Sequence, residues 1–130
     1  MLRKLFTVEE ANRSLAMVRP LMEEIVGHKR RMTHLMDQVA PLPPNSSDQS
    51  RHELEQILHA LESLAQELKS LMNEVEQLGA VVKDLDQGLV DFPAVLRGQP
   101  VYLCWRLGEE RVEFYHRIED GFAGRLPVPD

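Results

Sequence analysis

The segment Lys83-Asp-Leu-Asp-Gln-Gly-Leu-Val-Asp-Phe-Pro93 marks the change from helix to strand in this chain. Upstream of it, apolar residues recur every three or four positions, which is the period of an amphipathic helix. From Ala80 onward they alternate with polar residues, which is the period of a strand. The segment itself gathers three aspartates, a glycine and a proline, residue types that favour turns and strand edges. It therefore separates a helical half from a β half and indicates the α+β class.

The strongest periodic signal lies directly upstream of this segment. A row of apolar residues advances in alternating steps of three and four: Leu54, Ile57, Leu61, Leu64, Leu68, Leu71, Val75 and Leu78. Gly79 follows the row and can end a helix, so we predict a helix from about Ser50 to Leu78. Three flanking residues widen the apolar stripe beyond what one partner helix covers: Leu58, Ala65 and Met72.

A second helix is predicted to begin just after Thr7, which has with Glu10 the spacing of a capping box. Its apolar row contains one polar member: Leu15, Val18, Met22, Ile25, Lys29, Met32, Met36 and Val39. Pro20 lies within this pattern and is expected to kink or break the helix, because its ring clashes with the preceding turn. The proline-rich segment 41–50 ends the pattern. The two helices are therefore predicted to form a long antiparallel hairpin over residues 1–79, with the first helix kinked.

A small antiparallel β-meander and an irregular tail are predicted for residues 80–130. Three runs carry the strand period: Val90 to Leu96, Val101 to Trp105, and Val112 to Ile118. The parity of the third run puts His116 on the apolar face, where a histidine is more often a hydrogen-bonded core residue than a ligand. Phe122 is the expected anchor of the tail.

The register of the meander predicts one structural ion pair. A turn at Gly98-Gln99 places Asp91 opposite Arg106, and opposite charges across strands stabilise a sheet. A four-residue second loop, residues 108–111, then places Arg106 against Glu113. This register leaves Asp91 committed to a salt bridge.

The composition excludes several classes of protein. A length of 130 residues predicts a single domain over 1–130, and 43% hydrophobic with 28% charged residues is a globular composition. A formal net charge of −6 makes nucleic acid and anionic membrane surfaces unfavourable partners. No apolar run is long enough to span a bilayer. The only cysteine, Cys104, allows no intrachain disulfide, so a reducing cytoplasm is the expected location.

Six residues form a candidate ligand or divalent-metal site: Asp84, Asp86, Asp91, Glu109, His116 and Arg125. Carboxylates and imidazole are ligands of divalent cations. The competing interpretation is structural, since aspartates before a glycine form turns by accepting hydrogen bonds from their own backbone, and the spacing matches no calcium-loop or zinc signature. No cofactor is predicted, with a divalent metal as the alternative. Cys104 has no identifiable base and is expected to be a small semi-buried residue rather than a nucleophile.

Several motifs stand out along the chain: Phe6-Thr-Val-Glu-Glu-Ala-Asn12, Lys83-Asp-Leu-Asp86, Gly88-Leu-Val-Asp-Phe-Pro93, Leu103-Cys-Trp-Arg-Leu-Gly-Glu109, Tyr115-His116 and Gly121-Phe-Ala-Gly-Arg125. In combination they resemble an uncharacterised bacterial family, domain-of-unknown-function family 2203. The resemblance covers nearly the whole chain and implies no activity.

Two functional hypotheses follow. The first is a cytoplasmic interaction or assembly module that forms a homodimer through its helices, because half of the chain is heptad-patterned helix and no complete catalytic constellation is present. The second is a small divalent-metal-dependent or ligand-binding enzyme that uses the acidic turn together with Glu109, His116 and Arg125.

Overall fold

The computed structural model describes residues 4–39 and 41–129, which form two long helices followed by a five-stranded antiparallel sheet. Residues 1–3, 40 and 130, included in the predicted hairpin and tail, lie outside the described part. The elements in chain order are α1 (Val8–Asp37), α2 (Asp48–Gln77), β1 (Val81–Asp84), β2 (Leu89–Leu96), β3 (Gln99–Arg106), β4 (Phe114–Arg117), a short 3-10 helix (Phe122–Gly124) and β5 (Leu126–Pro127). The α+β class and the order of hairpin and meander are confirmed. Neither helix combines the length and the apolarity that crossing a membrane requires.

The start of α1 follows from the predicted capping box. Thr7 Oγ1 accepts a hydrogen bond from the Glu10 amide at 3.0 Å, and Glu10 Oε1 accepts one from the Thr7 amide at 3.0 Å. Two amides that the helix leaves without partners are thereby satisfied. The helix then continues through Pro20 to Asp37, so the alternative of a break at Pro20 is wrong.

The hydrophobic core lies between one end of the hairpin and the inner face of the sheet. The buried apolar residues of α1 are Ala11, Leu15, Val18, Met22, Ile25 and Val26, and those of α2 are Leu64, Leu68 and Val75. All of these except Val26 and Leu64 form one cluster with residues of the sheet: Val90, Phe92, Ala94, Val101, Leu103 and Trp105. Toward the interhelical loop the apolar rows become exposed, and Met36 of α1 is 62% exposed. The sheet therefore covers one end of the hairpin and leaves the other end open.

The sheet keeps the strands in chain order, from β1 to β5, with every neighbouring pair antiparallel. The three predicted strands correspond to β2, β3 and β4. The prediction missed β1 and β5, because four and two residues are too few to show a strand period. β1 pairs with β2 up to Val81 and Asp91, and β5 pairs with β4.

The first β-hairpin turns one residue earlier than predicted. Leu96 pairs with Gln99, so the turn consists of Arg97 and Gly98, whose φ angles are 51° and 77°. Two positive φ angles are the signature of a type I′ turn, whose twist matches that of the strands. A positive φ is unfavourable for a residue such as Arg97, so its residue type does not indicate this turn.

This earlier turn shifts the register by two residues, and the predicted Asp91–Arg106 pair is wrong. Asp91 lies opposite Cys104, and Arg106 lies opposite Leu89. The second connection also differs from the four-residue loop that was predicted, since β3 ends at Arg106 and β4 begins only at Phe114.

Gly88 holds the β1–β2 turn against both the helices and the neighbouring strand. Its φ is 76°, and a Cβ atom at this position would lie 2.8 Å from Leu107 Cβ and 3.1 Å from Val26 Cγ2. Its carbonyl oxygen accepts a hydrogen bond from the Leu107 amide at 3.0 Å. The turn therefore requires glycine both for its backbone conformation and for the space beside it.

The Gly88→Ala variant is expected to lose more stability than Gly98→Ala. The two glycines have nearly the same positive φ, 76° and 77°, but nothing lies within 4 Å of a Cβ atom at Gly98. The difference between the two losses of stability measures the cost of overpacking at Gly88, which we expect to be about 1–3 kcal/mol. Urea unfolding of both variants measures it, and equal losses would contradict the packing described for the turn.

The capping box predicts a pH dependence of stability. Hydrogen bonds from the backbone and side chain of Thr7 lower the pKa of Glu10 from its ordinary value of 4.5. A carboxyl whose pKa is lowered by folding stabilises the protein above its unfolded pKa, and this contribution is lost as the pH falls through the folded pKa. Glu10→Gln keeps a capping side chain but does not titrate. Any stability advantage of wild type over Glu10→Gln at neutral pH should therefore shrink below pH 4.5, as followed by thermal unfolding. A constant difference would refute the linkage.

Candidate functional site

The structure separates the six predicted site residues into three pairs: Asp91 with His116, Glu109 with Arg125, and Asp84 with Asp86. Only the first pair is buried in the sheet. The other two pairs hold a loop and a turn in place. The predicted set is therefore not one site, although two of its members form the centre of one.

Asp91 and His116 lie on the outer face of the sheet, which is the face opposite the helical core. The register places Cys104 opposite Asp91, and Tyr102 opposite His116. Asp91, Cys104 and His116 are 2%, 1% and 4% exposed, and one ligand atom from each lies within 4.8 Å of the others. His116 is hydrogen-bonded, as predicted, but the face assigned to it was wrong, because the β3–β4 register differs by one residue from the predicted one.

The hydrogen bonds of His116 define where its protons lie. Nδ1 is 2.8 Å from the carbonyl oxygen of Arg117, which can only accept, so Nδ1 carries a hydrogen. Nε2 is 3.0 Å from Asp91 Oδ2. A neutral imidazole and an ionised carboxylate would face each other there with lone pairs alone, so one proton lies between the two atoms. Burial raises the pKa of Asp91, and the neighbouring His116 opposes this shift.

Cys104 is a neutral thiol in this setting. Burial, and after it the charge of Asp91, raises the pKa of Cys104 to about 12. Because the thiolate is the nucleophilic form, the side chain is inert at neutral pH without a group that displaces its proton. The sequence led us to expect a semi-buried side chain, and the structure buries Cys104 fully.

A pocket of about 270 Å³ opens beside the three buried residues. Its lining combines the outer face of the sheet with the segment that follows β4: Lys83, Asp84, Leu89, Tyr102, Ile118, Asp120, Gly121 and Phe122 join the three buried residues. This volume is enough for a hydrated cation or a small ligand. The three buried residues therefore have a route to solvent.

The acidic turn between β1 and β2 is built by its own backbone hydrogen bonds. Asp84 Oδ1 accepts from the amides of Asp86 and Gln87, both at 2.8 Å, as expected for an aspartate that forms a turn. Asp86 Oδ1 accepts from Lys29 Nζ at 3.1 Å, which ties the turn to α1. Asp84 lines the pocket, whereas Asp86 is engaged by the helix.

Glu109 and Arg125 fasten the loop after β3 to the tail. Glu109 Oε1 accepts from the Arg106 amide at 2.8 Å and from Arg125 Nη2 at 2.9 Å. The guanidinium of Arg125 lies 4.1 Å from the ring centre of Phe114 and 4.6 Å from that of Phe122, distances at which a cation is attracted to an aromatic face. These residues position the segment that covers the outer face.

Sequence reasoning missed Cys104 as a member of the buried cluster. The signal was present, because strand parity already placed Cys104 off the core face, together with Tyr102. The register error hid its neighbours, since it put Arg106 where Cys104 stands opposite Asp91. A type I′ turn at Arg97 and Gly98 would have placed Cys104 beside Asp91, and the β3–β4 register was needed as well to add His116.

The fold and the site define a small α+β protein with a buried aspartate, cysteine and histidine beneath a C-terminal cover. The chain belongs to the family described as "Uncharacterized conserved protein (DUF2203)", whose sequence profile matches residues 4–128. The resemblance seen in the motifs is thus confirmed. No curated protein and no solved structure matches the chain.

The energetic partner of Asp91 is predicted to be His116 and not Arg106. A double-mutant cycle with Asp91→Asn and His116→Gln should give a coupling of about 0.5–3 kcal/mol, as for residues in contact. The matched cycle with Asp91→Asn and Arg106→Gln should be additive within about 0.5 kcal/mol. Chemical denaturation measures the coupling energy in both cycles. A chelator in the buffer removes any metal ion that would add to the stability of a variant. Equal couplings in the two cycles would contradict the observed register.

Proposed function

We propose that the protein is a cytoplasmic assembly module that forms a homodimer through the open end of its helical hairpin. The proposal is carried by the apolar surface that one copy leaves uncovered there. A groove of about 720 Å³ runs along α2 beside Met32 of α1. Its wall combines the apolar residues Met32, Ala65, Met72 and the buried Leu68 with the polar residues Gln66, Lys69, Ser70, Asn73 and Glu76. We call it the distal groove.

The apolar surface continues from the distal groove toward the interhelical loop. Met36 follows Met32 by one helical turn and is 62% exposed. Leu58 precedes Ala65 by two turns and is 49% exposed. Ala65, Met72 and Leu58 are the residues that widen the stripe of α2 beyond a two-helix contact. An uncovered stripe of this kind, present on both helices, supports burial against further helices.

Opposite charges on the two helices favour a second copy of the chain as the partner. Arg30 and Arg31 of α1 are exposed, and within residues 4–39 and 41–129 neither forms a salt bridge. Glu55 and Glu62 of α2 are exposed and lie seven residues apart, like Leu58 and Ala65. A two-fold axis that sets α1 of each copy along α2 of the other makes this pairing of opposite charges twice.

The proposed location agrees with the state of the cysteine. Cys104 is a free, buried thiol, and free thiols persist in the reducing cytoplasm. The net charge of −6 leaves nucleic acid an unfavourable partner for the protein as a whole.

The Met36→Glu variant is expected to dissociate the dimer, because it places a charge in the apolar interface. Met17→Glu is the matched control, since Met17 is a methionine of the same helix with 58% exposure at the opposite end. Light scattering at micromolar concentration should give the mass of two chains for wild type and Met17→Glu, and of one chain for Met36→Glu. Circular dichroism should show that both variants keep their helices.

Charge reversal tests the orientation of the two copies. One variant carries Arg30→Glu with Arg31→Glu, and a second carries Glu55→Arg with Glu62→Arg. Each should be monomeric alone, because like charges then meet across the axis, and a mixture of the two should form a heterodimer. Wild type that stays monomeric at every concentration, or dissociation by Met17→Glu but not by Met36→Glu, would overturn the proposed interface.

A further inference from the structure

The outer face of the sheet brings together three different kinds of metal ligand from three neighbouring strands. Asp91 of β2 offers a carboxylate, Cys104 of β3 a sulfur and His116 of β4 an imidazole. All three are buried, with their ligand atoms within 4.8 Å of one another. Ligands on paired strands are held more rigidly than ligands on loops, so little reorganisation is needed to bring them onto one ion.

The orientation of His116 is that of a metal-bound histidine. Its Nδ1–H donates to the backbone carbonyl oxygen of Arg117 at 2.8 Å. A hydrogen bond of this type fixes the ring and directs the lone pair of the other nitrogen toward the metal. Here that nitrogen is Nε2, and it points toward Asp91 Oδ2. The remaining partner, Cys104, lies opposite Asp91 in the register.

The chemistry of the three buried groups suits a cation at this position. A carboxylate, a thiol and an imidazole are costly to remove from water unless each finds a partner. The proton between Asp91 and His116 satisfies those two groups, and the Cys104 thiol is hydrogen-bonded to the same carboxylate. A divalent cation in its place would be bound by all three groups at once. An apolar residue at any of these positions would have filled the sheet face at lower cost.

We propose that Asp91, Cys104 and His116 bind one Zn²⁺ ion on the outer face of the sheet. A thiolate with an imidazole and one carboxylate suits Zn²⁺, whereas Mg²⁺ and Ca²⁺ select sites made of oxygen ligands. The fourth tetrahedral position would be taken by water from the adjoining pocket. Three protein ligands with an open fourth position is the pattern of zinc sites that bind exchangeable ligands.

Binding of Zn²⁺ at this site releases protons. The proton shared by Nε2 and Oδ2 leaves, the thiol proton of Cys104 leaves, and the hydrogen on Nδ1 stays bound to the Arg117 carbonyl. One Zn²⁺ ion therefore replaces two protons, which pass to solvent. The zinc site lies apart from the distal groove. The zinc proposal therefore does not depend on whether the chain forms a dimer.

Co²⁺ added to chelator-treated, untagged protein tests the proposal directly. Cys104 is the only cysteine of the chain, so a thiolate-to-cobalt charge-transfer band can arise from this residue alone. We expect one Co²⁺ per chain, with that band and the visible absorption of tetrahedral cobalt, and we expect Zn²⁺ to remove both. Cys104→Ser, which changes the size of the side chain little, should abolish the charge-transfer band.

The other two ligands have their own variants and control. Asp91→Asn and His116→Gln should each weaken Co²⁺ binding by more than about 100-fold, beyond the loss typical of a merely supporting group. His28→Gln is the control, because it removes a histidine that pairs with Glu67 on the helices, and it should leave binding unchanged. Circular dichroism of the metal-free variants establishes that they fold.

Two results would overturn the proposal. One is the absence of a charge-transfer band in wild-type protein that is folded and free of other metals. The other is Zn²⁺ affinity, measured by calorimetry, that is the same for wild type and Cys104→Ser. If Asp91→Asn or His116→Gln fails to fold, the Zn²⁺ affinities of wild type and Cys104→Ser still test the proposal, because serine in place of cysteine removes only the sulfur.

Discussion

The two-residue turn at Arg97 and Gly98 fixes the arrangement on which the outer face of the sheet depends. Both residues take a positive φ, and this geometry joins β2 to β3 with Asp91 opposite Cys104. A turn placed one residue later along the chain would move the partner of Asp91 by two positions. The carboxylate would then lie opposite Arg106 and not the thiol. A local backbone constraint, remote from the cluster, thus decides which chemical groups meet.

The sheet separates two environments that have different requirements. Its inner face is apolar and packs on the hairpin, so shape and volume determine which residues fit there. Its outer face buries a carboxylate, a thiol and an imidazole, which require partners rather than volume. The tail makes this second environment possible, because Arg125 holds it to Glu109 and to the ring of Phe114. Without that cover the outer face would be ordinary solvent-exposed sheet.

The sequence predicted the class and the order of the elements, because the helix and strand periods are read from neighbouring residues and require no knowledge of the tertiary structure. It also predicted the capping box at Thr7 and the turn-forming role of Asp84, which depend on neighbours within three residues. The buried cluster escaped prediction for a different reason. Its geometry depends on register, and register depended on one residue, Arg97, in a conformation that its type disfavours. The face of His116 was predicted wrongly because the connection between β3 and β4 is longer than the four residues that were expected.

Lys29 connects α1 to the acidic turn between β1 and β2. It is the one polar residue in the apolar row of α1, and it donates to Asp86 in the β1–β2 turn at 3.1 Å. The amide of Asp86 donates in turn to Asp84, which lines the pocket on the outer face. The Lys29–Asp86 contact therefore ties α1 to the turn that forms part of the pocket wall, 57 residues further along the chain.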